Sequence, residues 1–439
     1  MNKTKCFSYV FLSLCAIMLV GAFNVCVSEE PREFQEAVPQ MERHRDGIPH
    51  FLAKVANKED VKVAYLGGSI TAQDGWRVQT LANFNEEYPD SKFTEINAAI
   101  GGTGSDLGVY RLSFDVLQHD PDLVFVEFCV NDGGAAPEQI WRQMEGIVRQ
   151  IWRHNIETDI VFVYTFRVGH ENDYKSGKCP RSVSAMEQIA EFYGIPTLDF
   201  NIPVTQLCDH GKLIYQAESA EEGKILFSTD GVHPLKEGHE VYTKLVCSSF
   251  RLMRAKNMDT PYPDPETRRA KLEKTFVADN YENAKLVPIE ESQLSGEWTL
   301  LPADSPVAWT KHRLGRVVYQ SDAPGSKLTF RFKGSHVAIY DILGPNAGQV
   351  WVTLDGEKRG PIPRFDSYCT YHRLATLVLG AGLDPDVEHE VTVEIDAEQP
   401  DRQSVAFRLN DPEKELAGPK YQGRYVWFGP IMIIGDVLE

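Results

Sequence analysis

The chain has 439 residues, more than one hydrophobic core usually serves, so at least two domains are expected. Hydrophobic residues make up 42% and charged residues 25% of the chain, which are the proportions of an ordinary globular protein. With 63 acidic and 45 basic residues the net charge is −18, and a surface of this sign repels nucleic acid and anionic lipid. Neither nucleic acid nor a membrane surface is therefore expected as a partner.

The beginning of the chain differs from the rest. Lys3 and Lys5 precede an apolar run over residues 7–27, after which the chain turns abruptly polar. A basic start, an apolar centre and small residues near its end are typical of a secretory signal peptide. We therefore predict a signal peptide at 1–28 and a secreted or periplasmic protein. An uncleaved membrane anchor is the alternative, because the run approaches the roughly 20 residues that cross a bilayer.

The cysteine spacing does not support a metal or redox site. The five cysteines beyond the predicted signal peptide are widely separated and form no CxxC pair. An exported protein could contain one disulfide, between Cys179 and Cys208, and five unpaired buried thiols are the equal alternative. The five are Cys129, Cys179, Cys208, Cys247 and Cys369.

Between residues 61 and 254 two sequence patterns alternate along the chain. Short, nearly continuous apolar runs predict strands buried on both faces, as in a parallel sheet. Between them, apolar residues recur every three or four positions, which predicts helices, and Pro137 stands where a helix would begin. Alternating strands and helices predict a doubly wound α/β domain. The predicted strands are Val61–Leu66, Asp122–Phe128 and Ile160–Tyr164, and the predicted helices lie near Trp76, over Leu107–Leu117 and over Ile140–Ile151.

A proline-rich segment at 260–265 separates this region from one of strands and turns. Short runs between turn-forming pairs such as Gly334-Ser335 predict a β-sandwich. The predicted strands are Val317–Tyr319, Lys327–Lys333, His336–Leu343, Gln349–Leu354, Glu390–Ile395 and Val405–Leu409. The predicted divisions are an N-terminal segment at 29–58, an α/β domain at 59–255, a linker with a stretch compatible with a helix at 256–294, and a sandwich at 295–439.

The first predicted strand runs directly into Gly67-Gly68-Ser69. A serine at the carboxyl end of a sheet strand lies where α/β folds bind ligands, and glycines let the backbone turn sharply there. Far downstream, Asp230 and His233 can present their side chains from one turn. His233 could serve as the base for an activated serine, and Asp230 as the acid that fixes the tautomer of this base. Each motif alone is more often an ordinary turn.

Two further segments can supply donors for an oxyanion. The glycine-rich residues 101–104 and Asn131 each follow a predicted strand. Backbone N–H groups at a glycine turn and an Asn amide stabilise the charge on a tetrahedral intermediate. The loss of one such donor costs roughly 3 kcal/mol in the transition state. The Asn131-Asp132-Gly133 segment also favours a plain turn.

Taken in order, these segments resemble the blocks of the SGNH, or GDSL-type, hydrolase family. Gly67-Gly68-Ser69 matches the nucleophile block, Gly102 and Asn131 match the two oxyanion blocks, and Asp230-Gly231-Val232-His233 matches the last. The resemblance covers about residues 61–254, less than half of the chain. It implies a flavodoxin-like three-layer α/β domain. Together with the predicted jelly-roll-like β-sandwich, the chain resembles secreted carbohydrate esterases that carry an accessory domain.

The resemblance also assigns roles to residues. Ser69 is expected to be the nucleophile, His233 its base, and Asp230 the acid that orients the base. The N–H groups of Ser69 and Gly102 and the side chain of Asn131 are expected to form the oxyanion hole. The resemblance implies neither a metal nor an organic cofactor.

The sequence departs from the family pattern at two positions. Gly68 stands where the family usually has Asp, which predicts altered hydrogen bonding around the nucleophile. Cys129 replaces the usual glycine two residues before Asn131, which loosens the register of that block. The choice of Gly102 over Gly101 or Gly104 rests on aligning Asn97 and Ile100 with the family's usual spacing.

The predicted function is hydrolysis of an ester, with O-acetyl groups on a carbohydrate or polysaccharide ahead of other small esters as the substrate. A lipase, thioesterase or acyltransferase of the same fold is one alternative, and a glycan-binding protein with a vestigial site is another. Trp76 is expected either in the cleft or in the core, and His170 and His239 in solvated positions. Aromatic residues of the second domain could stack on sugar rings, although a place in the sandwich core is the plainer expectation. These are Trp309, Trp351, Tyr368, Tyr371 and Trp427.

Overall fold

The computed structural model describes residues 32–311, 313–315 and 317–438. The predicted signal peptide lies outside the described residues. From Phe34 onward the chain forms one compact unit, which contains an α/β region followed by a β region. Within the described ranges, no helix combines the length and the apolar character needed to cross a bilayer.

The α/β region contains the first eight strands and nine helices of the described chain. Its strands are β1 (Glu42–Arg43), β2 (Val61–Gly67), β3 (Phe93–Asn97), β4 (Leu123–Glu127), β5 (Asp159–Tyr164), β6 (Thr197–Asp199), β7 (Leu213–Gln216) and β8 (Ile225–Ser228). Its helices are α1 (Pro49–Ala56), α2 (Ser69–Ala72), α3 (Trp76–Glu87), α4 (Ser105–Asp115), α5 (Pro137–His154), α6 (His170–Lys175), α7 (Arg181–Tyr193), α8 (Asn201–Asp209) and α9 (Lys236–Asp259).

The order of the strands defines the topology of the main sheet. β2 pairs in parallel with β3 on one side and β4 on the other, and β5 and β6 continue the parallel sheet. β1 closes the edge antiparallel to β6. The order β3-β2-β4-β5-β6 is that of flavodoxin-like folds, in which ligands bind at the carboxyl ends of the strands where the order reverses. The predicted α/β fold is confirmed, and its three predicted strands match β2, β4 and β5 to within one residue.

Helices cover both faces of this sheet because its central strands are apolar on both faces. β4 and β5 are buried throughout. In β2, Ala64 and Leu66 pack into one core with α4, α5 and α7. Val63 and Tyr65, which point to the opposite face, pack into a second core with α1, α3 and α9. The result is the three-layer arrangement that the alternation of strands and helices predicts.

The β region is antiparallel. Its elements are α10 (Arg268–Leu272), β9 (Ala284–Val287), β10 (Leu294–Ser295), β11 (Thr299–Leu300), β12 (Tyr319–Ser321), β13 (Lys327–Leu343), β14 (Gln349–Leu354), β15 (Glu357–Pro363), β16 (Arg373–Ala381), β17 (Glu388–Ile395), α11 (Pro412–Leu416) and β18 (Val426–Leu438). The first half of the long strand β13 pairs with β17 and the second half with β16, while β18 runs along its other edge. These strands surround an apolar core that contains Phe330, Val337 and Val393. The predicted β fold of the C-terminal domain is confirmed.

Two details of the predicted β region are wrong. The predicted turn at Gly334-Ser335 lies inside the continuous strand β13, where the register with β18 shifts. A Cβ at Gly334 would collide with the backbone of Ile434, so the glycine permits a close approach of two strands rather than a turn. The predicted strand Val405–Leu409 is also absent, since a 3₁₀ turn ends at Val405. Val405 and Leu409 are spaced as in a helical turn and pack on a small cluster with Phe365 and Tyr421.

The α/β region and the β region pack directly against each other. Helix α4 lies against β9, and Tyr110 of α4 belongs to the same buried cluster as Tyr340 and Met432 of the β region. Gln150 of α5 donates to the carbonyl oxygen of Ala284 at 3.3 Å. The β region is therefore docked against the helical layer, and its loops can reach the carboxyl edge of the sheet.

Candidate active site

Ser69 is the first residue of α2, two residues beyond the end of β2. Gly68 between them has φ −91° and ψ −155°, an extended conformation, so the chain turns directly from strand to helix. The N–H of Ile100, in the loop after β3, donates to the carbonyl oxygen of Gly67 at 3.0 Å. Ser69 thus lies at the carboxyl edge of the sheet where the strand order reverses, as expected of a ligand site.

Asp230 and His233 lie in the loop between β8 and α9. The hydroxyl oxygen of Ser228 accepts from the N–H groups of Asp230 and Gly231 at 3.2 and 3.0 Å. Gly231 has φ +81°, a conformation that glycine adopts without steric cost. This tight turn brings the two side chains of the Asp-Gly-Val-His segment to the same edge of the sheet as Ser69.

The three predicted triad side chains form a chain of hydrogen bonds. Nε2 of His233 lies 2.8 Å from Oγ of Ser69, and Nδ1 lies 2.7 Å from Oδ2 of Asp230. Burial would raise the pKa of Asp230. Hydrogen bonds from the His233 ring, the N–H groups of His233 and Val232 and the Ser228 hydroxyl instead hold this pKa well below its usual range. The ionised carboxylate favours the imidazole tautomer with the proton on Nδ1, which leaves Nε2 able to accept the serine proton.

Asn131 begins a short turn after β4, and its side chain lies against Gly68. A Cβ at position 68 would collide with Oδ1 of Asn131. The space beside the nucleophile is thus filled by the Asn131 amide, and any side chain at position 68 would displace it. The N–H of Gly68 donates to Oε2 of Glu127 at 3.4 Å.

The glycine-rich loop after β3 faces the nucleophile. A Cβ at Gly101 would lie 3.6 Å from Cβ of Ser69, whereas nothing lies within 4 Å of that position at Gly102. Gly102 has φ +74°, so it makes the turn of the loop. The hydroxyl of Thr103 donates to the carbonyl oxygen of Ile100 at 2.8 Å and fixes this turn. Both glycines line the same cleft as Ser69.

Cys129, the second departure from the family pattern, is a buried packing residue. Its sulfur donates to the carbonyl oxygen of Thr165 at 3.4 Å, and burial raises the pKa of its thiol well above the usual value. The N–H of Asp132 donates to the carbonyl oxygen of Phe128 across the turn at 2.9 Å. Cys129 therefore leaves the turn that carries Asn131 intact.

Glu127, the last residue of β4, is a site residue that the sequence patterns did not single out. Its carboxylate is buried beneath the nucleophile turn and accepts from the hydroxyl groups of Thr71 at 2.9 Å and Thr165 at 2.7 Å. Burial raises the pKa of Glu127 to about 7, although these hydrogen bonds and that from Gly68 act in the opposite direction. The sequence signal that could have identified Glu127 is a single acidic residue in an otherwise apolar strand, because a buried carboxylate must find hydrogen-bond partners.

A second buried carboxylate supports the helix behind the site. Oδ2 of Asp132 accepts from the hydroxyl of Ser105 at 2.6 Å, and Oδ1 accepts from its N–H at 3.0 Å. Ser105 is the first residue of α4. Burial raises the pKa of Asp132 to about 7. Asp132 thereby ties the turn of Asn131 to the helix that follows the glycine loop.

The cleft that contains Ser69 and His233 has a volume of about 730 Å³ and a second wall contributed by the β region. Three of the predicted aromatic residues lie on this wall and are exposed: Trp309 by 47%, Tyr368 by 51% and Tyr371 by 60%. Arg313, Arg373 and His372 complete its polar lining. The prediction that sandwich aromatics would mostly be core is thus wrong for these three, because none of them lies on a strand.

The remaining aromatic residues and histidines occupy other positions. Trp427 and Trp76 are buried in apolar clusters, and Trp351 is half-buried on β14. His170 and His239 are buried rather than solvated, and burial lowers the pKa of each to about 4. The five described cysteines are unpaired, so Cys179 and Cys208 form no disulfide, and all but Cys208 are buried.

The comparisons with known proteins agree with this geometry. Residues 65–241 match the model of the GDSL-like lipase/acylhydrolase family. A two-domain esterase active on acetylated mannans, co-crystallised with mannopentaose, has a TM-score of 0.65 at 17% identity and covers 89% of this chain and 94% of its own. A second structure described as a two-domain esterase active on acetylated mannans gives a TM-score of 0.64 at 17% identity, with 89% and 96% covered. None of the curated proteins compared with this chain matches it in sequence.

At 17% identity, these structures show a common two-domain fold. The family match spans most of the α/β region and includes the nucleophile turn, the glycine loop, the Asn131 turn and the Asp230–His233 turn. Residues 65–241, the greater part of the α/β domain, therefore match the GDSL-like lipase/acylhydrolase family, the SGNH hydrolases, a family of carboxylic ester hydrolases.

Proposed function

We propose that this protein is a serine esterase that removes O-acetyl groups from a polysaccharide. One observation carries the proposal. The hydrogen-bonded chain of Ser69, His233 and Asp230 opens into a cleft whose opposite wall is formed by exposed aromatic residues of the second domain. Aromatic faces in a cleft suit a sugar ring, which presents apolar C–H groups on its faces and hydroxyl groups at its edge.

In the proposed reaction, Oγ of Ser69 attacks the carbonyl carbon of the acetyl ester while Nε2 of His233 accepts the serine proton. Asp230 stabilises the imidazolium ion that results. The tetrahedral intermediate collapses when His233 returns this proton to the sugar oxygen, which leaves as a hydroxyl group. Water, deprotonated by His233, then attacks the acetyl-enzyme. His233 returns this proton to Oγ of Ser69 as the bond between Oγ and the acetyl carbon breaks, and acetate leaves. This sequence of steps uses one nucleophile, one base and no redox chemistry.

The negative charge of the intermediate requires donors that are in place before the reaction. We assign this role to the N–H groups of Ser69 and Gly102 and to the side-chain amide of Asn131. Asn131 lies against Gly68 and hence beside Ser69, and Gly101 and Gly102 line the same cleft as Ser69. Donors held by a strand end and a tight turn need little reorganisation as charge develops, which is where most of their effect arises.

An acetyl ester on a glycan accounts for the two-domain arrangement better than a lipid does. The net charge of −18 disfavours an anionic lipid surface. The fold is shared with a two-domain esterase active on acetylated mannans, although a sequence identity of 17% does not by itself assign the substrate of this chain. We further propose that the protein is exported by the predicted signal peptide at 1–28, because a polysaccharide substrate lies outside the cell.

The test is acetate release from a panel of acetylated polysaccharides and from 4-nitrophenyl acetate, with wild type and Ser69→Ala. We expect acetate release from at least one polysaccharide and a loss of about a thousandfold or more in Ser69→Ala. Ser113→Ala, a substitution of an exposed serine on α4, is the matched control and is expected to keep full activity.

Each failure identifies a different rival. Cleavage of long-chain acyl esters without acetate release from any glycan would replace the proposed substrate by a lipid. Binding to glycans without hydrolysis of any ester, unchanged by Ser69→Ala, would identify a binding protein with a vestigial site.

A further inference from the structure

The cleft beside Ser69 is lined by basic residues on a strongly acidic protein. The basic residues that line it are Arg313, Arg373, His233 and His372, and within the described part of the chain no Asp or Glu side chain lines it. The chain as a whole has a net charge of −18. A concave surface of one sign focuses its field on ligands of the opposite sign, even where the rest of the protein would repel them.

Arg313 extends from the β region to the loop that faces the nucleophile. Its Nη1–H donates to the carbonyl oxygen of Ala99 at 3.3 Å, which holds the guanidinium beside Gly101 and Gly102. This contact uses one of five N–H donors. No carboxylate of the described residues forms an ion pair with Arg313, so its charge is available to a ligand.

The aromatic wall itself carries two further guanidinium groups. Cζ of Arg408 lies 3.9 Å from the centre of the Tyr368 ring, and Cζ of Arg373 lies 5.7 Å from it. Arg373 pairs with Asp366, but its buried Nε has no hydrogen-bond partner among the described residues. Arg373 is thus paired with one carboxylate, whereas Arg408 forms no ion pair with a described residue, and the wall keeps an excess of positive charge.

We propose that the polysaccharide bound in this cleft is anionic and that Arg313 and Arg373 bind its anionic groups. The inference rests on the proposed function, because it names the class of acetylated glycan on which the esterase acts. An acetylated neutral sugar would desolvate the guanidinium group of Arg313 and give it no counter-charge, which is costly. The planar fork of a guanidinium matches the paired oxygens of a carboxylate or a sulfate. Uronate and sulfated sugars share this chemistry.

The test compares three polymers that are chemically O-acetylated to the same degree. Polygalacturonate carries carboxylates, carrageenan carries sulfates and mannan is neutral; 4-nitrophenyl acetate serves as a small neutral ester. We expect kcat/KM for acetate release from at least one anionic polymer to exceed that from mannan by about tenfold. We expect this preference to shrink as NaCl rises from about 0.05 to 0.5 M, because salt screens the attraction. The preferred anionic polymer distinguishes carboxylate from sulfate recognition.

Variants locate the preference in the cleft. Arg313→Gln keeps a donor for Ala99 but removes the charge, and we expect it to reduce the ratio of anionic to neutral kcat/KM by about tenfold. Arg313→Lys keeps the charge and should retain most of the ratio. Arg373→Gln should reduce the ratio in the same direction. Arg269 is an exposed arginine of α10 that pairs with Glu266. The control Arg269→Gln makes the same change in net charge and should leave the ratio of anionic to neutral kcat/KM unaltered.

The contrary outcomes are separable from failure of the proposed function. Acetate release from mannan equal to or faster than from both anionic polymers would overturn the inference and leave a polysaccharide esterase. An anionic preference that survives both Arg313→Gln and Arg373→Gln would overturn the assignment to these residues. Hydrolysis of 4-nitrophenyl acetate alone would remove the proposed function and the inference together.

Discussion

The two walls of the cleft are built in different ways. The wall of the α/β domain is made of side chains at strand ends and tight turns, and hydrogen bonds join Ser69 to His233 and His233 to Asp230. Beneath this wall, Glu127 is bound by Thr71 and Thr165. The wall of the β region is made of large exposed side chains on loops, of which Trp309 and Tyr371 are examples. A sheet edge holds atoms to the precision that bond making requires, whereas loops can change shape without cost to the core.

The difference separates chemistry from recognition within one cleft. Substitutions on the first wall are expected to alter kcat, because they change groups that act on the transition state. Substitutions on the second wall are expected to alter KM for the natural substrate, because they change how the glycan is held. Of the three predictions below, the first and the last test this division, and the second tests the buried carboxylate beneath the first wall.

Gly68→Ala should give the largest effect, because it adds a Cβ that collides with Oδ1 of Asn131. If Asn131 is an oxyanion donor, its displacement should lower kcat about a hundredfold or more on every ester. Asn131→Ala should lower kcat by a similar factor. Gly133→Ala, at a position with nothing within 4 Å of a Cβ, should have little effect. Steady-state rates on 4-nitrophenyl acetate measure all three.

The double variant Gly68→Ala/Asn131→Ala tests whether Gly68→Ala lowers kcat by displacing the Asn131 amide. Two changes that remove one interaction should not add, so the double variant should resemble Asn131→Ala alone. Fully additive losses would mean that Gly68→Ala acts through the nucleophile turn itself and not through the Asn131 amide.

Glu127→Gln should change the pH dependence of stability. Burial raises the pKa of Glu127 to about 7 in the folded protein, above the ordinary 4.5 of a glutamate. The folded state therefore holds this proton more tightly than the unfolded state. The stability that the proton contributes is full below pH 4.5 and is lost as the pH rises through 7. Gln mimics the protonated acid, so Tm of the variant relative to wild type should increase by a few degrees between pH 5 and pH 8.

The buried carboxylates Asp132 and Asp199, whose pKa values are also raised to about 7 by burial, remain in both proteins. The contribution of Asp199 cancels in the difference between variant and wild type. That of Asp132 cancels except for the smallest part of its pKa shift, which comes from the charge of Glu127. A difference in Tm that stays constant from pH 5 to pH 8 would show that Glu127 remains ionised in the folded state.

The first wall was largely predictable from the sequence and the second was not. Strand ends at Gly67 and Glu127 follow from apolar runs, and a parallel sheet brings such ends to one edge, so the residues after them could be grouped. Asp230 and His233 could be grouped because two residues three positions apart can present their side chains from one turn. The placement of Tyr371 depends on how a second domain docks against the first, through contacts far apart in sequence that no local pattern contains.

Tyr371→Ala should give the smallest effect and the clearest separation of the walls. Removing an exposed aromatic face that stacks on a sugar should raise KM for an acetylated glycan about two- to tenfold, with a smaller change in kcat. Trp351→Ala is the matched control, since this aromatic residue lies on β14 and does not line the cleft. A fall in kcat on 4-nitrophenyl acetate as large as the rise in KM on the glycan would mean that Tyr371 supports the catalytic wall. Recognition and chemistry would then not be divided between the two domains.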